Sequence, residues 1–266
     1  MRVGFVQFEP VFGEKDQNVR RSIELMEGAE ADLWVLPELC NTGYLFRSRR
    51  EVEALAEKVP DGPSVQAWRE VARERKVYVV AGMAEKADGK VFNAAVLVRP
   101  SGEGSLYRKA HLFDEEKRWF EPGNTGFEAV DLGEVRIGMM VCFDWIFPEV
   151  ARILALKGTD LICHPANLVL PYCPDAMVTR CVENRVFAVT CNRTGIERRG
   201  GNMLTFIGSS QIVDPKGRVL VRAEKDEECV QVAVIDPRAA RDKKITERNE
   251  LFEDRRMELY RTLVER

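Results

Sequence analysis

The sequence predicts an α/β fold built in layers around a mixed sheet. Strand-like and helix-like segments alternate from the N-terminus onward, which is the pattern of an α/β architecture. Turn signals join several neighbouring strands as hairpins, so the sheet cannot be all parallel. At 266 residues the chain is long enough to bury about three quarters of its unfolded surface without disulfide or metal staples.

Each element follows from local pattern. Residues 3–8 read as a first strand, and 15–29 as a helix with Val19, Ile23, Leu25 and Met26 on one face. Residues 32–36 form a short buried strand closed by Pro37. Helices follow over 51–57 and over 64–75, the second after Pro63 with Ser64 as its cap. Strands over 77–83 and 91–98 flank the hairpin turn Asp88-Gly89, and Gly102 to Gly104 turn the chain into a strand over 105–108. Residues 127–132 and 135–141 pair as a second hairpin, and a helix over 148–156 begins at Pro148 and Glu149, where proline and an acidic residue suit the first turn. A strand over 160–164, a helix over 175–184 and a strand over 186–192 come next. The last strands span 206–213, 218–223 and 228–235, with Asp214-Pro215-Lys216-Gly217 as a turn. Residues 195–202 read as a flexible basic loop, and 238–266 as a charged, mostly helical arm. No repeat and no Gly/Ser linker divides the chain, so residues 1–266 are expected to be a single domain.

Composition removes several classes. A net charge of −3 and a pI near 5.7 argue against a nucleic-acid binder that depends on a basic face. No apolar run approaches the ~18 residues that cross a bilayer, and the N-terminus lacks the features of a signal peptide. Seven scattered cysteines, an odd number without C-x-x-C spacing, fit a reducing cytoplasm and argue against a disulfide framework or a structural zinc site.

Three strand ends carry chemistry. Glu38 follows a buried strand and Pro37, and its apolar neighbours Trp34, Leu36 and Leu39 suit a general base; alone, it reads better as an acidic cap. Lys109 ends a strand and can deliver a compact cation, although an isolated lysine there is more commonly exposed. Cys142 sits on a strand-to-helix turn, where backbone N–H groups are expected to lower a thiol pKa and hold an oxyanion; its plain alternative is a buried cysteine at a strand end. A Cys–His hydrolase using His111 or His164 as base is the enzymatic rival, and a non-catalytic binding protein the rival of another class.

Taken together, Pro37-Glu38-Leu39, Tyr107-Arg108-Lys109-Ala110-His111-Leu112 with Phe120-Glu121-Pro122-Gly123, and Val141-Cys142-Phe143-Asp144 with Phe147-Pro148-Glu149 resemble the Glu–Lys–Cys blocks of the nitrilase superfamily, the carbon–nitrogen hydrolases. The resemblance extends through Gly43-Tyr44, His164-Pro165-Ala166-Asn167 and Glu183-Asn184-Arg185, nearly the whole chain. It implies an αββα sandwich of two mixed sheets flanked by helices, and hydrolysis of a non-peptide C–N bond without metal or cofactor. It further implies Cys142 as nucleophile, Glu38 as proton carrier, Lys109 with the Phe143 N–H as oxyanion stabiliser, and Glu116 (or its neighbour Glu115) as a second glutamate. Tyr44, Phe143, Trp145 and Asn167 are the substrate-binding candidates, with Pro171, Tyr172 and Met177 shaping the acyl side. Arg193, Arg198 and Arg199 leave acidic substrates open. The expected substrate is a small amide, with a nitrile or an N-carbamoyl compound as alternatives. The resemblance also implies a homodimer built through the helices after Cys142 and over 175–184, with the C-terminal arm lying on the partner.

Overall fold

A computed structural model describes residues 1–265. The N-terminal half builds one sheet from β1 (Arg2–Gln7), β2 (Leu33–Val35), β3 (Tyr78–Ala87), β4 (Lys90–Val98) and β5 (Gly104–Arg108). Helices α1 (Lys15–Glu27), α2 (Arg49–Leu55) and α3 (Pro63–Arg75) belong to this half, and the single turn α4 (Glu116–Trp119) follows it. A second sheet contains β6 (Ala129–Asp131), β7 (Arg136–Met139), β8 (Leu161–Ala166) and β9 (Phe187–Asn192), with α5 (Pro148–Leu156) and α6 (Cys173–Asn184) inserted. A separate hairpin, β10 (Ile196–Arg199) and β11 (Asn202–Thr205), precedes β12 (Gln211–Val213) and β13 (Val219–Arg222), which complete the second sheet. The chain then returns as β14 (Cys229–Val234) to pair antiparallel with β1.

The strand orders are β14-β1-β2-β3-β4-β5 and β13-β12-β9-β8-β7-β6. Each sheet has two consecutive parallel pairings, β1-β2-β3 and β7-β8-β9, flanked by antiparallel strands. Side chains alternate across these strands with period two, and the alternation assigns the faces. Val3, Phe5, Leu33, Val35 and Leu97 share one core with Ile137, Met139 and Cys163 of the other sheet. Val6, Phe8, Trp34 and Met83 point the other way, onto Val19 and Met26 of α1 and Val65, Trp68 and Ala72 of α3. Burying each such large apolar side chain is worth about 1.5–3 kcal/mol. Gly138 lets α5 lie on the second sheet, because a Cβ there would fall 2.8 Å from the Leu154 side chain. The chain is therefore an αββα sandwich: two mixed sheets face to face, with helices outside.

Several elements differ from the sequence reading, each for a local reason. α2 begins at Arg49 because Ser48 caps it, accepting from the Glu51 N–H at 3.3 Å while Glu51 reaches back to the Arg47 N–H at 2.8 Å. β3 and β4 extend to the turn itself, where Asp88 and Gly89 both have positive φ (52° and 73°), the conformation of a two-residue hairpin loop. The expected strand over 206–213 keeps only β12, since Gly208 and Ser209 have φ of 53° and 56° and break the pairing. The basic stretch 195–202 is ordered as the β10–β11 hairpin, because Glu197 is buried in an ion pair with Arg193 (2.8 Å) and Arg199 is held by Glu51 (3.0 Å).

The C-terminal arm is also different. It holds a short 3-10 turn over Pro237–Ala240, the small hairpin β15 (Lys244–Thr246) and β16 (Asn249–Glu250), and further 3-10 turns, and among its described residues none is α-helix. Its first part docks on its own chain: Lys243 Nζ donates to the carbonyls of Asn184 and Arg185 at the C-terminus of α6 (3.0 and 2.8 Å), and Arg241 pairs with Asp160 (3.0 Å). Burial brings the Lys243 pKa down to about 8.

Gly82, in β3, passes directly beneath the loop that carries Glu38, and a Cβ there would lie 2.4 Å from the Glu38 Cα. Gly82→Ala is expected to cost about 1–3 kcal/mol of stability, read as a lower urea midpoint at unchanged m-value, together with reduced turnover from a displaced Glu38.

Candidate active site

Three strand ends and the short α4 converge where the two sheets meet. β2 runs into Leu36 and Pro37 and then turns at Leu39, whose φ is 47°. This turn drops Glu38 between the sheets, with its N–H donating to the Ala166 carbonyl of β8 at 3.4 Å. Lys109 follows β5 directly: its N–H donates to Asn93 O at 2.8 Å, and its carbonyl accepts from Gly123 N at 2.8 Å. Only glycine fits at 123, because a Cβ would lie 2.0 Å from Arg108 O. Glu116 opens the short α4. Cys142 opens a 3-10 turn over Cys142–Ile146 after β7, in a left-handed conformation with φ 44°.

The side chains form one buried network. Lys109 Nζ donates to Glu38 Oε1 at 2.7 Å and to Glu116 at 2.8 Å, and neither Glu38 nor Lys109 has any exposed surface. Burial works against the ammonium, but the charges of Glu116 and Glu38 outweigh it and hold the Lys109 pKa above the ordinary lysine range. Burial, aided by the Glu38 charge and opposed by Lys109, holds Glu116 above the usual carboxylate range. Tyr44 donates its hydroxyl to Glu116 Oε1 at 2.7 Å; burial and the two carboxylates push its pKa far up, so it stays a donor. Asn93 Nδ2 donates to Glu38 Oε1 at 2.6 Å. Glu38 Oε2 is buried without a partner.

Cys142 is the remaining member. Its thiol pKa is pushed well above the free value by burial and by the Glu38 charge, with Lys109 and the Asn167 N–H pulling the other way. The turn alone had led us to expect a lowered thiol pKa; instead burial keeps the thiol protonated at rest. The residue as a whole is 6% exposed.

The left-handed turn is pinned from both sheets. His164 Nε2 lies 2.9 Å from the Cys142 carbonyl oxygen and Nδ1 3.2 Å from Thr190 Oγ1, while burial lowers the His164 pKa to about 4, so a neutral ring donates through Nε2. Asp144, fully buried, accepts from Val141 N (2.9 Å), Tyr107 OH (2.7 Å) and His111 N (3.1 Å), and faces His111 Nδ1 at 2.8 Å. His111 thus pairs with Asp144 and His164 with a backbone oxygen, so neither ring serves the sulfur as a base.

A carbon–nitrogen hydrolase family model matches residues 2–244. The chain belongs to the carbon–nitrogen hydrolase family. It is 49% identical over 263 residues to a nitrilase from Pyrococcus abyssi, covering 98% of this chain and 99% of that protein. It is 35% identical to an (R)-stereoselective amidase from a Pseudomonas species, covering 85% and 82%. The crystal structure of a carbon–nitrogen hydrolase from Helicobacter pylori G27 superposes with a TM-score of 0.91 at 27% identity, covering 100% of this chain and 98% of that one. The comparisons thus place it among enzymes that act on non-peptide C–N bonds.

In this carbon–nitrogen hydrolase, Lys109 is hydrogen-bonded to Glu38 and Glu116, and Cys142 lies within the electrostatic reach of all three. Glu116, and not Glu115, is the inward glutamate; Glu115 is an exposed partner of Arg118. Tyr44 lies in the network through Glu116 and packs edge-on against Phe206 with ring centroids 6.0 Å apart. Asn167 is buried beside the sulfur, with both side-chain atoms unpartnered. Phe143 packs on Phe113 (5.0 Å) and Phe147 (5.6 Å). Trp145 joins the apolar core, and its carbonyl is taken by Arg180. On the expected acyl side, Tyr172 is 64% exposed and Met177 is fully buried. Arg193 is spent on Glu197 and the Pro10 carbonyl and stacks 4.0 Å from the Phe206 ring. Arg199 is spent on Glu51 and the Leu45 carbonyl. The residues that sequence reasoning missed are Asn93, Tyr107 and Asp144. Tyr107 and Asp144 stand inside the family-like blocks without a role being assigned to them, and the signal for Asn93 is a polar side chain within an otherwise apolar strand pattern.

The neutral His164 gives a pH test. A histidine held near pKa 4 when folded and near 6.5 when unfolded takes up its proton first in the unfolded state, so its stabilising contribution is complete above about pH 6.5 and is lost as pH falls toward 4. His164→Asn is expected to reduce the slope of unfolding free energy over that window by up to about 1.4 kcal/mol per pH unit, measured by urea titration.

Proposed function

We propose that this chain hydrolyses a small, uncharged amide to a carboxylic acid and ammonia through a thioester on Cys142. The observation that carries the reading is the single free oxygen of Glu38. Lys109 and Asn93 both occupy Oε1, and Oε2 is left in a buried site shared with a protonated thiol. Glu38 Oε2 takes the thiol proton as Cys142 Sγ bonds to the amide carbon, and the carbonyl π pair moves to oxygen. Lys109 Nζ and the Phe143 N–H stabilise that oxyanion. As the tetrahedral species collapses, the C–N bond breaks and Glu38 returns the proton to nitrogen, so ammonia leaves and the thioester remains. A water that gives a proton to Glu38 then attacks the thioester, and its second collapse releases the acid and restores the thiol. Glu116 and Tyr44 hold the ammonium in place throughout.

An uncharged substrate fits the surroundings. Of the arginines that sequence offered as carboxylate binders, Arg193 and Arg199 are paired elsewhere and Arg198 is exposed on the β10–β11 hairpin, while Asn167, whose backbone N–H reaches the sulfur, has both amide atoms without a protein partner. Nitrile hydrolysis is the second reading, favoured by the 49% identical relative named a nitrilase; the same sulfur would form a thioimidate first. Ile146, Ile153, Leu156 and Val182 expose apolar surface on and beside α5 and α6, and this supports a homodimer through that face. Seven free cysteines suit a reducing cytoplasm.

Cys142→Ala is expected to abolish ammonia release with the circular dichroism unchanged, and Glu38→Gln and Lys109→Ala to lower turnover by about 100-fold or more. Near-normal turnover in all three would reject the mechanism. Parallel assays on an aliphatic amide, a nitrile and an N-carbamoyl amine are expected to give most ammonia from the amide.

A further inference from the structure

We infer that Asn93 is a positioning residue that fixes which oxygen of Glu38 acts as the base. This rests on Glu38 being the proton carrier of the proposed reaction. Asn93 lies in the interior of β4, opposite Ala84 of β3, and is 1% exposed. Asparagine is a poor strand residue, and a buried amide is costly unless its groups are bonded. Two of its groups touch the network. Nδ2 donates to Glu38 Oε1 at 2.6 Å, and the main-chain carbonyl accepts from Lys109 N at 2.8 Å. One residue therefore holds both the base and the cation.

The choice of oxygen is the functional point. A free carboxylate could rotate and offer either oxygen to the sulfur. Here two donors, Asn93 Nδ2 and Lys109 Nζ, sit on Oε1 at 2.6 and 2.7 Å and leave Oε2 bare. Lys109 alone could not fix the carboxylate plane, because an ammonium is a rotating point donor that also serves Glu116. The planar amide adds a second direction and, being neutral, no further charge beside the base. The other end of the amide, Asn93 Oδ1, is buried without a protein partner, so the side chain's bond within the protein is the one it gives to Glu38.

The test compares Asn93→Asp, Asn93→Ala and Asn93→Ser with the wild type and with Glu38→Gln. Asn93→Asp keeps the shape and loses the donor. Asn93→Ala loses both, and Asn93→Ser keeps a shorter hydroxyl donor without a carboxylate. The expected result is a fall in kcat of about 10- to 100-fold in the Asp and Ala variants, with KM within about two-fold and a smaller fall for Ser. Alkylation of Cys142 by iodoacetamide, followed by mass spectrometry, should slow in parallel at neutral pH and recover at a pH where the thiol ionises unaided. Wild-type kcat and alkylation in folded Asn93→Ala would overturn the inference, as would a loss confined to KM or to melting temperature. If Asn93→Asp does not fold, the Ala and Ser variants decide by the same criteria. Should Glu38→Gln itself keep turnover, the proposed mechanism falls; if Glu38→Gln is dead and the Asn93 variants are normal, only this inference falls.

Discussion

A fully buried ammonium sets the terms for the rest of the molecule. Lys109 has no contact with solvent, and an unpaired ammonium in that position would be too costly to keep charged. Glu38 and Glu116 answer that cost, but two carboxylates around one cation leave an excess negative charge that needs donors of its own. Asn93, Tyr44 and the Phe113 N–H supply them, the last at 3.2 Å from Glu116 Oε2. Loss of one partner from such a buried pair costs about 3–5 kcal/mol, since the other charge stays behind. The network is thus held as a unit, and its members come from the loop after β2, from β4, from the segment after β5 and from α4.

That unit belongs almost wholly to the first sheet, whereas Cys142 belongs to the second. Their relative placement depends on how the sheets register, and polar bonds across the seam do this where apolar packing alone would allow sliding. Glu38 N reaches Ala166 O of β8, and Tyr107 OH of β5 reaches Asp144 in the turn after β7. Asp144 is central because its two oxygens collect bonds from both sides: Val141 N of the Cys142 turn, and Tyr107 and His111 of the Lys109 segment. His164, from β8, closes the arrangement by taking the Cys142 carbonyl. A left-handed cysteine costs conformational energy, and such strain persists where surrounding bonds over-determine it.

What could be read from sequence follows from the range of the interactions. Glu38, Lys109 and Cys142 were legible because each follows a strand whose apolar run is local, and their blocks resemble those of a known family. The hairpin at Asp88-Gly89 was legible for the same reason, as its positive φ values need only two neighbouring residues. Asn93 was hidden inside an apolar strand pattern, since its value lies in Glu38, 55 positions away. The β10–β11 hairpin reads as a loop because two glycines and two arginines look exposed. It is ordered by Glu197, which receives the Tyr44 N–H 153 positions away. The C-terminal arm reads as helix from its charge, yet its fastening is Lys243 on carbonyls 58 and 59 positions upstream. Glu116 and Glu115 were indistinguishable locally, and only the depth of Lys109 separates them.

The protonation state of the sulfur ties these pieces to reactivity. Burial raises the pKa of Cys142, as it does for Cys40, Cys163, Cys173, Cys181 and Cys191, so a raised value does not by itself distinguish the nucleophile. What distinguishes Cys142 is that a carboxylate, an ammonium and a backbone N–H all act on it. In the proposed mechanism the thiolate exists only while Glu38 holds its proton, and the nearby ammonium favours that state by attraction to the sulfur. The sulfur is then unreactive at rest and strongly nucleophilic on demand. The same proton is already in place to go to the departing nitrogen, which leaves poorly unless it receives one. One free carboxylate oxygen suffices for both transfers because the other is held.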